Sequence, residues 1–391
     1  MKKIYIIFRL YKPLESTLKE KKWNHTGSPA YFNFIKYIQK NKFFDPHVYL
    51  ILDKNSGSLY ESFEIEISGI NNKVKVLKYY NFTPKNKFLK IELLLNRVIQ
   101  YLKIYFNTDR EQIYYLDRDN ILLYHFLKFK NGNICFRLLG ITKNLFTKLF
   151  GDMENELFSR PLKNEKSLII CTNDGSWSKE TMGKITNPNF HVLSNGCDFE
   201  FKNYNDLKNP IQFLCVSRIE NGKGIDKLLN LMSNLKKRGF NNFTLQIVGG
   251  GSLLNNMIEL SNELELNQNC IFLGEKPHSL IIKYLQKTNM FFSLNNFGYM
   301  GNNVIEALSQ GVPSIINSTN LNIPQEIKKH FLVIDTNEID RSCSIILDFF
   351  SSNENFINLQ KTSKIFFNSN FKSWESRINY EIDLINKFIK N

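Results

Sequence analysis

Short apolar segments alternate with longer segments of helical period along most of the chain. In the first half, apolar runs of strand length lie at 3–8, 47–52, 73–77, 112–116, 133–138 and 167–172. A second series lies at 211–216, 243–248, 270–273, 289–293, 312–316 and 331–334. Between most of these runs, apolar residues recur every three to four positions, which indicates helices. Strands that alternate with helices predict parallel sheets covered by helices.

A polar segment separates the two series. Residues 195–210, NGCDFEFKNYNDLKNP, have the Asn, Asp, Gly and Pro content of a linker. We therefore predict an α/β protein with two Rossmann-like, doubly wound domains, at 1–200 and 206–370, and a final amphipathic helix within 371–391. Ligands in such folds bind at the carboxyl ends of the strands, so two facing domains would share a central cleft.

Charge and cysteine usage narrow the choice of partners and compartment. Most of the net charge of +14 lies in residues 1–200, which indicates an anionic partner or simply a well-solvated surface. The basic residues are scattered singly, so we expect no nucleic-acid partner. The six cysteines form no C-x-x-C pair, and the first apolar run ends at Arg9. These features predict a cytoplasmic protein without structural zinc, which contacts the inner face of a membrane through its basic N-terminal domain.

Three loops in the second half can carry chemistry. The strand at 211–216 is followed by SRIENGKG and a helix, a natural phosphate site to which Arg218 and Lys223 add positive charge. The next strand leads into three glycines, 249–251, which fit a binding loop and a tight turn equally. The third loop, rich in Gly and Asn, precedes a helix in which Glu306 suits a pair of vicinal hydroxyls. The alternative is a solvent-facing Glu, which the apolar residues around it disfavour.

These loops, in this order, resemble the donor domain of the retaining family-4 glycosyltransferases of the GT-B fold. The matching segments are 215–229, 247–257, 271–294 and 301–316, with HVLSNGCD at 191–198 upstream. The segment FKSWESRINYEIDLI resembles the helix that crosses back to the first domain in that family. The resemblance covers residue 165 to the C-terminus, whereas over 1–150 it concerns the architecture alone.

The resemblance implies a role for individual residues. Arg218 and Lys223 would hold the donor diphosphate and stabilise the leaving group, and Glu306 would bind ribose. The donor-binding residues that it implies are Gly27, Ser28, Gly249, Gly250, Gly298, Tyr299, Met300, Gly301, Asn302 and Glu306, of which Tyr299 to Asn302 would approach the phosphates through backbone groups. It implies no metal and no cofactor beyond a nucleoside diphosphate sugar as co-substrate.

Two positions depart from the family pattern. Eight residues before Glu306, where the family usually has a first Glu that contacts the transferred sugar, this chain has Gly298. That change leaves three possibilities open: an unusual sugar, a substitute polar group such as Asn295 or Asn296, or binding without turnover. The second departure is Leu139-Gly140 in place of His-Gly.

The prediction from the sequence is a metal-independent hexosyltransferase. It would move a sugar, with retention, from a nucleoside diphosphate sugar to a hydroxyl of a glycan or lipid-linked glycan, in the synthesis of a cell-surface polysaccharide. The N-terminal domain would bind the acceptor, with Asn173, Asp174 and Arg137 on that side. The alternative is a catalytically inactive GT-B subunit that binds nucleotide, glycan or a partner protein.

Overall fold

The structure is a computed structural model of the chain. It describes residues 1–10, 23, 29–52, 63–67, 70–77, 89–140, 156–176, 185–201, 203–204, 206–296, 298–319 and 323–390. These residues form two compact units. The first comprises Met1–Asn173, Trp177–Leu193 and Trp374–Asn391, and the second comprises Asp174–Ser176 and Ser194–Ser373.

The first unit is built on an eight-stranded sheet. Its strands are β1 (Lys3–Arg9), β2 (Asp45–Ile51), β3 (Phe63–Ile67), β4 (Ile70–Leu77), β5 (Ile113–Asp117), β6 (Asn133–Leu138), β7 (Ser167–Thr172) and β8 (Phe190–Leu193). Their order in the sheet is β3-β4-β2-β1-β5-β6-β7-β8. Every pairing is parallel except that of β3 with β4. The helices are α1 (Pro29–Lys40), α2 (Leu89–Asn107) and α3 (Glu156–Lys163), with short helical segments at Arg118–Leu123, Tyr124–Leu127 and Lys128–Lys130.

The second unit is built on a six-stranded sheet, all of whose pairings are parallel. Its strands are β9 (Ile211–Val216), β10 (Phe243–Val248), β11 (Cys270–Gly274), β12 (Met290–Ser293), β13 (Ser314–Asn317) and β14 (Leu332–Ile334), in the order β11-β10-β9-β12-β13-β14. Its helices are α4 (Ile225–Lys237), α5 (Leu254–Glu263), α6 (His278–Leu285), α7 (Asn302–Ser309), α8 (Gln325–Lys328), α9 (Ile339–Phe349) and α10 (Asn353–Asn370). The last helix of the chain, α11 (Trp374–Lys390), belongs to the first unit.

Both sheets are buried on both faces, which explains the continuous apolar runs of the sequence. Along β9, Phe213 and Cys215 enter one core cluster and Leu214 enters the cluster on the opposite face. Successive strand residues point to opposite faces, so a strand covered on both sides needs an apolar residue at nearly every position. The prediction of two Rossmann-like α/β domains is confirmed. That the domains face a central cleft stays a prediction.

Two strands of the first sheet were missing from the sequence prediction. In β3, FEIEI alternates apolar and acidic residues at the antiparallel edge, a pattern outside the series of continuous runs. The other edge strand, β8, has four residues, all half-buried, and pairs with β7. Edge strands are short and partly polar because they are covered incompletely, which weakens their sequence signal.

The helix α11 joins the core of the first unit through its apolar face. Trp374, Ile378, Ile382 and Ile385 lie in one cluster with the buried face of α1. The spacing of these residues had predicted an amphipathic helix here, and the helix is present. No helix among the described residues has the length and apolar character needed to cross a membrane.

Arg137, predicted on the acceptor side, lies in the core of the first unit. It is 2% exposed, and the charge of Glu381, on α11, raises its pKa against the opposing effect of burial. Glu381 also forms an ion pair with Arg377 and accepts a hydrogen bond from the Tyr115 hydroxyl. The structure therefore buries Arg137 in the core, under the influence of the Glu381 charge, and not at an exposed acceptor contact. A strand residue gives no sequence signal for a partner more than two hundred positions away.

Candidate functional site

A pocket of about 370 Å³ lies where the chain order of the second sheet reverses, between β9 and β12. Its lining comes from the carboxyl ends of both strands, from the loops that follow them, from the start of α7 and from Asp174. Open α/β sheets bind ligands at this kind of switch point, and the volume suits a small molecule. The lining residues are Asp174, Cys215, Val216, Ser217, Arg218, Lys223, Phe292, Ser293, Leu294, Asn295, Gly298, Gly301, Asn302 and Asn303.

Two cations from the loop between β9 and α4 line this pocket. The Arg218 side chain is 56% exposed and lies 3.4 Å from a carboxylate oxygen of Glu220. Burial, and secondly the charge of Arg218, lower the pKa of Lys223, whereas Glu220 and Asp174 act in the opposite direction. The structure thus brings together the two predicted phosphate-binding residues, one open to solvent and one partly desolvated.

Glycines fix the loop that carries these cations. Gly224 has a φ of +74°, and a Cβ there would overlap the carbonyl oxygen of Leu294. Gly249 has a φ of +145°, and a Cβ on it would overlap the carbonyl oxygen of Ser217. The Ile219 amide donates to the carbonyl of Gly250 at 2.8 Å. Gly249 and Gly250, predicted to bind the donor, therefore pack backbone to backbone against the Arg218 loop and stand outside the described pocket lining.

The N-terminus of α7 forms a further wall. Gly301, Asn302 and Asn303 line the pocket. The Asn303 side-chain amide donates to the Val216 carbonyl at 2.8 Å, and Asn302 accepts a hydrogen bond of 2.7 Å from Asn195. A helix N-terminus presents backbone N–H groups and the positive end of the helix dipole. Together with Arg218 and Lys223, which line the same pocket, this wall makes the pocket suitable for an anion.

Glu306 lies one turn farther along α7, on the same side as Asn302. Its carboxylate is 2.7 Å from Nε2 of His278, whose ring stacks on Phe199 with 5.1 Å between centroids. The described pocket lining does not include Glu306. The sequence did not single out His278, because nothing near it in the chain shows that α6 brings it to α7.

Gly298 is buried and lines the pocket beside Asp174. A Cβ at position 298 would lie 2.6 Å from the Asp174 carbonyl oxygen. The next two predicted donor contacts, Tyr299 and Met300, are buried in the apolar core of the second unit. Their side chains are packing groups, and the Met300 amide donates to Asp174 at 2.9 Å.

The remaining predicted site residues lie elsewhere. Asn173 belongs to the first unit, where its amide donates to the Leu193 carbonyl, so of the predicted pair only Asp174 reaches the pocket. Gly27 and Ser28 lie outside the described residues. Within the described part of the chain, no three His, Cys, Asp or Glu side chains form a group that could hold a metal ion. The six cysteines are buried and free of disulfides.

Comparisons with known proteins agree with this architecture. Residues 198–364 match the model of the family described as glycosyl transferases group 1. An uncharacterized glycosyltransferase of Methanocaldococcus jannaschii is 32% identical over 111 residues, which is 28% of this chain and 27% of that protein's length. The sucrose-phosphate synthase of Thermosynechococcus elongatus superposes with a TM-score of 0.69 at 14% identity, over 100% of both chains. Anabaena HepE, solved in complex with UDP and glucose, gives 0.64 at 13% identity, over 99% of this chain and 100% of its own.

The structural similarities cover the whole chain, whereas the family match covers only its second half. The solved structures establish the fold of both domains, and the family match concerns the second unit, which holds the pocket. The curated relative is matched over about a quarter of its length. Together the findings show the GT-B fold for the chain and a match of its second unit to the glycosyl transferases group 1 model.

Proposed function

We propose that this protein is a retaining hexosyltransferase that uses a nucleoside diphosphate sugar as donor. The observation that carries the proposal is the pocket at the β9/β12 switch point. There Arg218, Lys223 and the N-terminus of α7 surround one space of small-molecule size. This combination suits a diphosphate, since a guanidinium binds phosphate oxygens through paired hydrogen bonds and a lysine adds a point charge.

In the proposed reaction the bond between the anomeric carbon and the diphosphate oxygen breaks as a bond to the acceptor oxygen forms. The acceptor proton passes to the departing diphosphate, which lies on the same face of the sugar, and the configuration is therefore retained. Arg218, Lys223 and the α7 dipole stabilise the negative charge that develops on the diphosphate. The protein supplies this charge from its own residues, and we propose that the transfer needs no metal.

The nucleoside would be held by the adjoining part of the second unit. Glu306 would accept hydrogen bonds from the two ribose hydroxyls, with His278 fixing the orientation of its carboxylate at 2.7 Å. The complex of HepE with UDP and glucose shows that a protein of this fold accommodates a nucleotide and a sugar.

The acceptor would be a hydroxyl of a glycan or lipid-linked glycan in the synthesis of a cell-surface polysaccharide. Supporting this is the positive charge of the chain, concentrated in residues 1–200, which favours a phosphorylated lipid carrier at the inner face of a membrane. We propose a cytoplasmic protein that contacts this surface peripherally.

Thermal unfolding with a panel of nucleotides and nucleotide sugars tests the donor site. A ligand at about 100 times its Kd adds about 2.7 kcal/mol to the free energy of unfolding, and therefore raises Tm by a few degrees. We expect one nucleotide sugar to raise Tm selectively, with and without EDTA, and the shift to disappear in Lys223→Ala. The matched control is Lys237→Ala, at the exposed end of α4. No shift with any nucleotide would contradict the proposal.

A second function, an inactive GT-B subunit that binds without turnover, is favoured by one observation. Gly298 stands where the family usually has a sugar-contacting carboxylate. Such a subunit would show the thermal shift but would release no nucleoside diphosphate from the bound donor. Release measured on the same samples therefore separates the two functions.

A further inference from the structure

We propose that Asp174 is the residue that recognises the donor sugar, by accepting hydrogen bonds from its hydroxyl groups. Its carboxylate would make the contact with the transferred sugar that Gly298, which has no side chain, cannot make. The inference rests on the proposed function, because it assigns the sugar end of the same pocket. It also moves Asp174 from the acceptor side, where the sequence had placed it, to the donor side.

The segment Asp174–Ser176 is part of the second unit, although it follows β7 of the first sheet in the chain. The Asp174 carbonyl accepts from the Met300 amide at 2.9 Å, and its Oδ1 accepts from the Ser176 amide at 3.0 Å. Gly175 lies against the Tyr299 ring, with 2.7 Å between the ring and the place of a Cβ. These contacts fix the backbone and the carboxylate of Asp174 at the edge of the pocket.

Gly298 leaves the space into which the Asp174–Ser176 segment packs. A Cβ at position 298 would lie 2.6 Å from the Asp174 carbonyl oxygen and 3.3 Å from the Ser176 amide nitrogen. Backbone cannot yield as a flexible side chain does, so no side chain fits at 298 while the segment is docked. The segment that excludes a carboxylate from position 298 therefore brings its own carboxylate to the same pocket wall.

The charge of Asp174 indicates what it binds. Among the described residues that line the pocket, Asp174 is the only acidic one. A carboxylate repels phosphate and accepts hydrogen bonds from hydroxyls, so it belongs to the sugar end of the ligand. Its charge acts on Lys223, favouring the protonated amine that the diphosphate needs.

Asn295, the other polar candidate at this wall, is occupied in holding the loop. Its Oδ1 accepts from the Gly298 amide at 3.2 Å, and its Nδ2 donates to Ser293 at 3.3 Å. Asn296 accepts from Lys227 at 3.4 Å and from Asn317 at 3.3 Å. Neither side chain supplies the charged acceptor that Asp174 does.

Calorimetric titration of wild type and Asp174→Asn tests this assignment. The ligands are the nucleoside diphosphate, the preferred nucleotide sugar and the epimers of that sugar on the same nucleotide. Asparagine keeps the Oδ1 that accepts from Ser176, so the segment should stay docked and the affinity for the nucleoside diphosphate should stay unchanged. We expect the preference between epimers to fall by about tenfold to a hundredfold, the size of a hydrogen bond to a charged group.

The control is Asp226→Asn, an equal change of charge on the exposed first turn of α4, which should keep the wild-type preference. A wild-type preference in Asp174→Asn, with nucleoside diphosphate bound, would overturn this inference and leave the proposed function intact. Failure of the wild type to bind any nucleoside diphosphate would overturn both.

Discussion

Lys223 carries its charge in a partly buried position, and burial together with Arg218 lowers its pKa. The lysine therefore loses its proton at a lower pH than an exposed lysine does. We predict that affinity for the nucleoside diphosphate falls as the pH rises from neutral toward about pH 10, near the usual lysine pKa. Lys223→Arg should bind with a weaker dependence on pH, because guanidinium stays protonated throughout. Titrations of the same ligand in both proteins measure this, and parallel pH profiles would refute the role of Lys223.

Glu306 is predicted to bind the two hydroxyl groups of the ribose. A carboxylate that accepts from two vicinal hydroxyls favours a ribonucleotide over its 2′-deoxy analogue, by about tenfold for one charged hydrogen bond. In Glu306→Gln this preference should largely disappear, while Glu263→Gln, exposed on α5, should keep it. Kd values for both nucleotides in the three proteins measure the effect. An undiminished preference in Glu306→Gln would exclude the ribose contact.

Asp117 makes the stability of the first unit depend on pH. Burial, and secondly the charge of Asp119, raise its pKa to about 7, although the Arg9 amide and Asn120 donate to the carboxylate. Between about pH 4 and 7 the unfolded carboxyl is ionised while the folded one keeps its proton. The free energy of unfolding should therefore fall as pH rises through this window, by up to about 4 kcal/mol.

Asp117→Asn tests this dependence, since it removes the ionisable group. The Tm of the variant should fall less between about pH 4 and 8 than that of the wild type. Thermal unfolding over the series measures both slopes, and equal slopes would show that Asp117 is not the group responsible.

At the level of single residues, the sequence identified groups that act within one loop and missed groups that act across the fold. Arg218 and Lys223 follow a strand and precede a helix, so their position was predictable from the chain alone. The contact of His278 with Glu306 and the effect of the Glu381 charge on Arg137 both join segments that are distant in the chain. Asp174 was predicted to follow a strand end, but its docking against Gly298 required the structure.

Among the elements, the loop after β10 supports the phosphate site. Alanine at Gly249 would take a φ of +145° and overlap Ser217, whereas at Gly239 it would take +89° with nothing within 4 Å. Strain at such a backbone position costs about 1–3 kcal/mol, and the overlap adds to it only at Gly249. We predict that Gly249→Ala lowers Tm more than Gly239→Ala and also weakens nucleotide binding, because it displaces the Arg218 loop. If Gly249→Ala and Gly239→Ala changed Tm and nucleotide affinity equally, the loop after β10 would not support the phosphate site.

The hydrophobic pattern predicts the central strands better than the edge strands. Central strands such as β7 and β9 are apolar along their length because helices cover both faces, and the sequence placed them correctly. The edge strands β3 and β8 were not predicted, because β3 alternates apolar and acidic residues and β8 has only four residues. The glycines at 249–251 fitted a binding loop and a tight turn equally, and in the structure Gly249 packs its backbone against Ser217.

For the whole molecule, the order of the strands in the second sheet determines the position of the pocket. In the second sheet, β9 and β12 are neighbours while their connections leave in opposite directions, which opens the pocket at their carboxyl ends. The alternation of strands and helices predicted this class of fold. This alternation does not predict how the chain is divided, because Asp174–Ser176 and α11 each belong to a unit away from their sequence neighbours. Only the family resemblance implied that the last helix returns to the first domain. Long-range packing, which local patterns do not encode, sets these assignments.

The most direct test is turnover of the preferred nucleotide sugar, in which the sugar passes to an acceptor hydroxyl or to water and the released nucleoside diphosphate is measured. In Lys223→Ala, kcat/KM should fall by at least about 100-fold, the scale of losing one group that stabilises transition-state charge. Lys237→Ala should retain the wild-type value. A loss below about tenfold in Lys223→Ala would contradict the central claim that this pocket carries the reaction.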